Sequence, residues 1–297
     1  MTTPRATISV PATAGPSPDT ASAPTSPSQA ASTGAVPAYR HVYLIVMENH
    51  EYGSIVGSSS APFINRLIAS GGLVTRMTAV AHPSEPNYIA LTSGGTQGVS
   101  SDGAYDLDVP NLFDQVEAGG RTWHVYAQGF PGNCSTAGLT GSVTDGPGAA
   151  GEYARKHDPA ISYVSIRRNP GRCAHITGLV GFDPAAADLA LIVPNQTNDM
   201  HSSSIEAGDS FLATFVPAIT GSAAFAESVL VITWDEGVTN DGGGGHIATI
   251  VLGAGIPAGS RFDASTTHYS ILRTIEDAWS LGHLGEAAHA TPIVFAP

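Results

Sequence analysis

The stretch His41-Val-Tyr-Leu-Ile-Val-Met47-Glu48-Asn49 decides how the chain folds. From His41 to Met47 it is a continuous apolar, β-branched run, the pattern of a strand buried on both faces. It then stops abruptly at two polar residues. Working outward, Ala61-Pro-Phe-Ile-Asn-Arg-Leu-Ile-Ala-Ser70 reads as a helix with proline near its first turn and Gly71-Gly72 as its stop. The alternation continues with strands at 73–79, 122–127, 190–193, 229–234 and 248–252. Helices are expected at 111–118, 203–219 and 268–281, the last with Ile271, Leu272, Ile275 and Trp279 at helical spacing. The pattern predicts an α/β fold with a largely parallel central sheet and helices on both faces. Residues 128–188 are Gly-rich, weakly patterned and too long for a plain loop, so they are expected to form an excursion over the active-site face.

With 297 residues, 42% of them hydrophobic, the chain has enough apolar material for a sizeable core. Of the first 37 residues, 28 are Pro, Ala, Ser or Thr, a composition that cannot bury enough surface to fold. Residues 1–38 are therefore expected to be a disordered tail and 39–297 a single α/β domain. A formal charge of -13 argues against nucleic acid as a partner. No run is long enough to span a membrane, and no signal-peptide pattern is present. A low-complexity stalk of this kind fits a secreted or cell-surface protein whose signal peptide is absent from this sequence. Five of the twelve basic residues, Arg155, Lys156, Arg167, Arg168 and Arg172, are crowded together, which fits either a solvated loop or anion recognition. Cys134 and Cys173 are the only cysteines. A disulfide or two buried free thiols would account for them, export favours the disulfide, and the spacing disfavours a metal site.

Three apolar strands run directly into polar residues. Leu44-Ile-Val-Met47 leads to Glu48-Asn49, and Leu191-Ile-Val193 leads to Asn195 and on to Asn198-Asp199-Met200-His201. Val229-Leu-Val-Ile-Thr-Trp234 leads to Asp235-Glu236. In a parallel sheet such strand ends meet at one edge, where ligands bind. One acidic residue after a strand is usually a helix cap, but carboxylates crowded from three strands repel unless a cation lies between them. The oxygen-rich set favours Ca²⁺ or Mg²⁺, while neighbouring histidines keep Zn²⁺ or Fe open.

His82-Pro-Ser84-Glu-Pro-Asn87-Tyr supplies a fourth piece. Two prolines fix the backbone around Ser84 and discourage a helix before Pro86. A rigid serine beside a metal suits a nucleophile; a turn serine capping the next helix is the plainer alternative. No GxSxG elbow surrounds it, which weighs against an α/β-hydrolase. His82 is near enough to pack or to bind substrate. His124, inside a strand, reads as a core residue, and His246 follows four glycines without a nucleotide-binding spacing.

Taken in order, Met47-Glu48-Asn49-His50, His82-Pro-Ser84-Glu-Pro-Asn87-Tyr, Arg155-Lys156-His157, Asn198-Asp199-Met200-His201, Thr233-Trp-Asp235-Glu236 and Thr267-His268-Tyr269-Ser270 resemble the motifs of the phosphoesterase family. That family joins bacterial acid phosphatases to phospholipases C within the alkaline-phosphatase-like superfamily. The resemblance spans about 39–297 and is nearer to the short secreted acid phosphatases. It implies a divalent metal held by Glu48, Asn49, Ser84, Asp235 and Glu236, with Ser84 transiently phosphorylated. It further implies that His157 and His201 line the phosphate site, and that Asn87, Lys156 and His268 contact substrate. Asp199 would orient His201 or stand just outside the metal. Protonated His157 and His201 would favour mildly acidic pH.

The expected activity is phosphomonoester hydrolysis of small or lipid-borne phosphate esters. A phospholipase C is the rival enzyme, and a surface-binding protein the non-enzymatic alternative. A sulfatase is disfavoured because no Cys/Ser-x-Pro-x-Arg signature surrounds Ser84.

Overall fold

The computed structural model describes residues 34–134, 140–142 and 152–295, so most of the expected tail lies outside the described residues. In chain order the strands are β1 (Val42–Met47), β2 (Gly72–Thr78), β3 (Trp123–Ala127), β4 (Thr140–Ser142), β5 (Glu152–Ala154), β6 (Ile176–Thr177), β7 (Leu189–Val193), β8 (Val229–Trp234), β9 (His246–Gly253), β10 (Ser260–Phe262) and β11 (Thr266–Thr267). The helices are α1 (Tyr52–Ile55), α2 (Pro62–Ser70), α3 (Ser84–Ser93), α4 (Leu112–Ala118), α5 (Val164–Arg167), α6 (Pro170–Cys173), α7 (Ile205–Thr220) and α8 (His268–Ala278).

β1 is buried along its whole length because it lies between β7 and β8, parallel to both. Among the described residues the large sheet has nine strands in the order β10-β2-β9-β8-β1-β7-β3-β6, with β11 also pairing with β2. Every pair in it is parallel except those of β9, which runs antiparallel to β2 and to β8. The reason is the connection from β8: residues 235–245 contain no α-helix, whereas a parallel return needs a crossover of a dozen or more residues.

Side chains alternate across the sheet. Val42, Val229, Val231 and Val251 face Ile271 and Ile275 of α8. On the other face Met47 lies against Gly208 of α7, where a Cβ would come within 2.4 Å of Met200, so only glycine allows this approach. Tyr126, Phe182 and Phe215 form an aromatic chain on that same face. Asp209 of α7 ties α2 in place by accepting from the Phe63 and Ile64 amides at 3.1 and 2.8 Å, two of the donors that a helix start leaves unpaired.

One expectation changes. Helix α3 begins at Ser84 itself, with extended Pro83 as its N-cap, rather than after Pro86. Proline within the first turn removes no needed donor, and the Glu85 amide is satisfied by Asp102 Oδ1 at 3.1 Å. The excursion is built of short pieces: a β4–β5 hairpin, α5, α6 and β6. A disulfide joins Cys134 to Cys173 across 39 positions, with their Cα atoms 6.0 Å apart. No helix among the described residues is long and apolar enough to cross a membrane.

Candidate active site

The sheet register pairs Met47 with Trp234, which puts Glu48 beside Asp235 at the carboxyl edge. The strands stay zipped past their ends: Asp235 N–H donates to Met47 O at 2.9 Å and Asn49 N–H to Asp235 Oδ1 at 3.0 Å. Asn49 has φ +53°, a left-handed conformation that asparagine tolerates and that turns the chain out of β1. From β7 comes Asp199, whose carbonyl accepts from Glu48 N–H at 2.9 Å and whose Oδ1 accepts from His201 N–H at 2.8 Å.

Ser84, at the first position of α3 and 1% exposed, donates toward Glu48 Oε2 at 3.1 Å and Glu236 Oε1 at 3.2 Å. Lys156 Nζ lies 3.4 Å from Ser84 Oγ, 3.2 Å from His201 Nε2 and 2.9 Å from Asp102 Oδ2. His157, fully buried, stands between two carboxylates, with Nε2 3.2 Å from Glu48 Oε2 and Nδ1 3.2 Å from Asp199 Oδ2. Neither contact has hydrogen-bond alignment, so both ring nitrogens remain without a bonded partner. Tyr88 donates to Glu48 Oε1 and stacks on the His157 ring at 5.4 Å.

The electrostatics follow from burial. Glu48 is pushed well above the carboxylate range by desolvation and then by the charges of Asp235 and Asp199. Desolvation likewise raises Asp199, with Asp235 adding to it, and raises Asp235 to about 7, with Glu236 adding. Such crowding is relieved by a cation. Asn49 Oδ1 and Asp235 Oδ2 are buried without protein partners. Glu48, His157 and His201 also bring one donor atom each within 4.8 Å of one another. The residues present thus fit a divalent metal ion.

The structure brings together Glu48, Asn49, Ser84, Lys156, His157, His201, Asp235 and Glu236. It gives two expected substrate contacts other work. Asn87 spends its amide on loop backbone, accepting from Val80 and Ala81 N–H at 3.0 and 3.1 Å and donating to Ala81 and Pro83 carbonyls. His268 is buried and donates from Nε2 to Trp234 O at 3.0 Å, bracing the strand that delivers Asp235.

The expectation of protonated histidines also changes. Burial, then the Lys156 and His201 charges, lowers His157 well below its usual value; burial and Lys156 lower His201. Positive charge is favoured instead at His82, beside Glu236, and at Lys156. Burial works against the lysine's charge, but the Asp102 bond and the Glu48 carboxylate outweigh it, and its pKa rises.

Asp102 gave no signal in the sequence, and Tyr88 stood at the end of the Ser84 motif without a role. His82 matters more than its motif suggested: Nε2 donates to Thr239 O at 2.7 Å and Nδ1 pairs with Glu236. His246 is held by Thr75 O at 2.9 Å and stacks on Tyr52, a structural part. His124 stacks on His175 within the sheet's outer edge.

A mixed sheet flanked by helices is the fold this chain shares with alkaline-phosphatase-like proteins. One similar solved structure is a protein in the alkaline phosphatase superfamily from Vibrio parahaemolyticus (TM-score 0.54, 13% identity, covering 88% of this chain and 73% of that one). Another is the phosphonate monoester hydrolase of Agrobacterium radiobacter (TM-score 0.52, 14% identity, 82% and 74%). At such identities the likeness is one of fold. Within that class the chain belongs to the phosphoesterase family, whose profile matches residues 57–282, and it is a hydrolase acting on phosphoric esters. A phosphatidylinositol-3-phosphatase of Mycobacterium tuberculosis is 34% identical over 266 residues, which are 87% of this chain and 83% of that protein. A probable acid phosphatase of Kluyveromyces lactis is 30% identical over 84% of this chain, and the match spans 60% of its length.

Proposed function

We propose that residues 39–297 act as one metal-dependent phosphomonoesterase that works through a phosphoserine at Ser84. The observation that carries this reading is the position of Ser84 Oγ, buried at a helix start within 3.2 Å of two carboxylates and 3.4 Å from an ammonium group. Glu48, Asn49, Asp235 and Glu236, with Ser84 itself, would hold a divalent ion, Ca, Mg or Zn. When bound, the ion supplies positive charge that lowers the hydroxyl pKa and shields the incoming phosphate.

Ser84 Oγ attacks phosphorus and gives its proton to the Glu236 or Glu48 carboxylate. The bond from phosphorus to the ester oxygen breaks on the opposite side, and the alkoxide leaves with a proton from solvent. Lys156 and His201 hold the phosphoryl oxygens. Water then attacks the phosphoserine phosphorus, the bond from phosphorus to Ser84 Oγ breaks as phosphate departs with one water proton, the other water proton returns to solvent, and Ser84 recovers its proton from the carboxylate.

The name of the mycobacterial relative supports a monoester carried on a phosphoinositide headgroup, and those of the fungal relatives support small monoesters. The disulfide and the Pro/Ala/Ser/Thr-rich composition of 1–38 support export, which protease accessibility on intact cells tests. The mechanism is tested by phosphate release from p-nitrophenyl phosphate, its phosphorylcholine diester and phosphatidylinositol 3-phosphate. Monoesters should be cleaved and Ser84→Ala should be inactive. A Ser84→Ala protein with wild-type turnover removes the phosphoserine, and preference for the diester would make the protein a phospholipase C.

A further inference from the structure

Lys156 carries the positive charge nearest to Ser84, yet a lysine is a point charge on a flexible four-carbon stem and does not hold a position unaided. What holds it comes from a segment outside every motif considered so far. Residues 102–105 run past the start of α3 as a strap fixed at several points. Gly103 N–H donates to Glu85 Oε2 at 2.7 Å, and Arg155 donates to the Gly103 and Tyr105 carbonyls at 3.3 and 3.2 Å. Arg155 is 4% exposed and Glu85 1%, so these anchors are part of the core. The strap presents one carboxylate, Asp102, with both oxygens engaged. Oδ1 accepts from Glu85 N–H in the first turn of α3 at 3.1 Å, and Oδ2 accepts from Lys156 Nζ at 2.9 Å.

We propose that Asp102 is a positioning residue for phosphoryl transfer, its two oxygens fixing the Lys156 ammonium relative to the helix turn that carries Ser84. This rests on Ser84 being the nucleophile. One carboxylate bonded to the Glu85 amide and to Nζ ties the ammonium to the first turn of α3, where Ser84 Oγ lies 3.4 Å from Nζ. The Asp102 and Lys156 side chains are 31% and 19% exposed, so the pair lies on the solvent side of buried Ser84.

Asp102→Asn tests this, because asparagine still accepts from Glu85 N–H but lacks the charge that holds Lys156. Loss of a charge-assisted bond should lower kcat for a phosphomonoester by about 10- to 100-fold, with little change in KM. Asp102→Glu, which keeps the charge, should recover part of the loss. In a Lys156→Met background Asp102→Asn should cost less than about twofold more, since coupled residues are not additive. Wild-type kcat in Asp102→Asn, a lowered KM with unchanged kcat, or an equal loss in the Lys156→Met background would each overturn the proposal. An active Ser84→Ala would remove the phosphoserine reading itself; an inactive Ser84→Ala beside a fully active Asp102→Asn would remove only the role of Asp102.

Discussion

Toward their amino ends β1 and β8 present Val42, Val229 and Val231 to Ile271 and Ile275 of α8, and the packing leaves a void of only about 20 Å³. At their carboxyl ends the same two strands deliver Glu48, Asp235 and Glu236, all buried, with Asp199 added from β7. One end gains from every contact, because apolar surface leaves water. The other holds like charges together and carries unpaired donors and acceptors, an arrangement that costs stability until a ligand arrives. The difference teaches that stability and chemistry are separated along the same strands, so substitutions at the two ends should have opposite signatures.

The largest contrast is expected from Asp235→Asn. Steady-state kinetics should show kcat/KM reduced at least about 100-fold, while the melting temperature of chelated protein stays level or rises because a crowded charge is gone. A strongly destabilised but active variant would break the comparison. Next comes Ile275→Ala, which enlarges the void at the other end: urea unfolding should show a loss of about 2–5 kcal/mol, with kcat/KM of the folded protein within about twofold of wild type.

Metal removal sharpens the comparison further. Adding a divalent ion at about 100 times its Kd should stabilise the wild type by about 2.7 kcal/mol. Asp235→Asn should gain much less, and equal gains in both proteins would place the ion elsewhere.

The smallest effect concerns Glu276 on α8, whose carboxylate accepts from Leu284 N–H at 2.8 Å and whose pKa burial raises from 4.5 to about 7. A raised folded value means that the group's contribution is complete below pH 4.5 and is lost as pH rises through about 7. Glu276→Gln should therefore narrow the fall in urea midpoint between pH 5 and 8, and an unchanged fall would show that other groups cause it.

Much of this was legible because burial on both faces writes an unmistakable apolar run. The strands at 41–47 and 229–234 and the polar residues that end them needed no more than local sequence, and so Glu48, Asn49, Asp235 and Glu236 were found. What escaped was set by tertiary contact. The start of α3 at Ser84 depends on Asp102 satisfying the Glu85 amide, a bond across 17 positions. Tyr88 touches Glu48 across 40. Asn87 looked like a substrate contact because its motif surrounds Ser84, whereas its amide is consumed by the loop backbone. The reversal of β9 was readable in principle, since 235–245 offers too little chain for a helical crossover.

The central place of β1 has a consequence in time. Its flanking strands lie at 189–193 and 229–234, so the earliest of the described strands to be synthesised is among the last to find both neighbours. Pairings this distant along the chain are slow to close. Until they do, Glu48 has no Asp235 beside it and Ser84 no second carboxylate. A chain in which β1 has not yet paired with β8 therefore lacks an assembled centre.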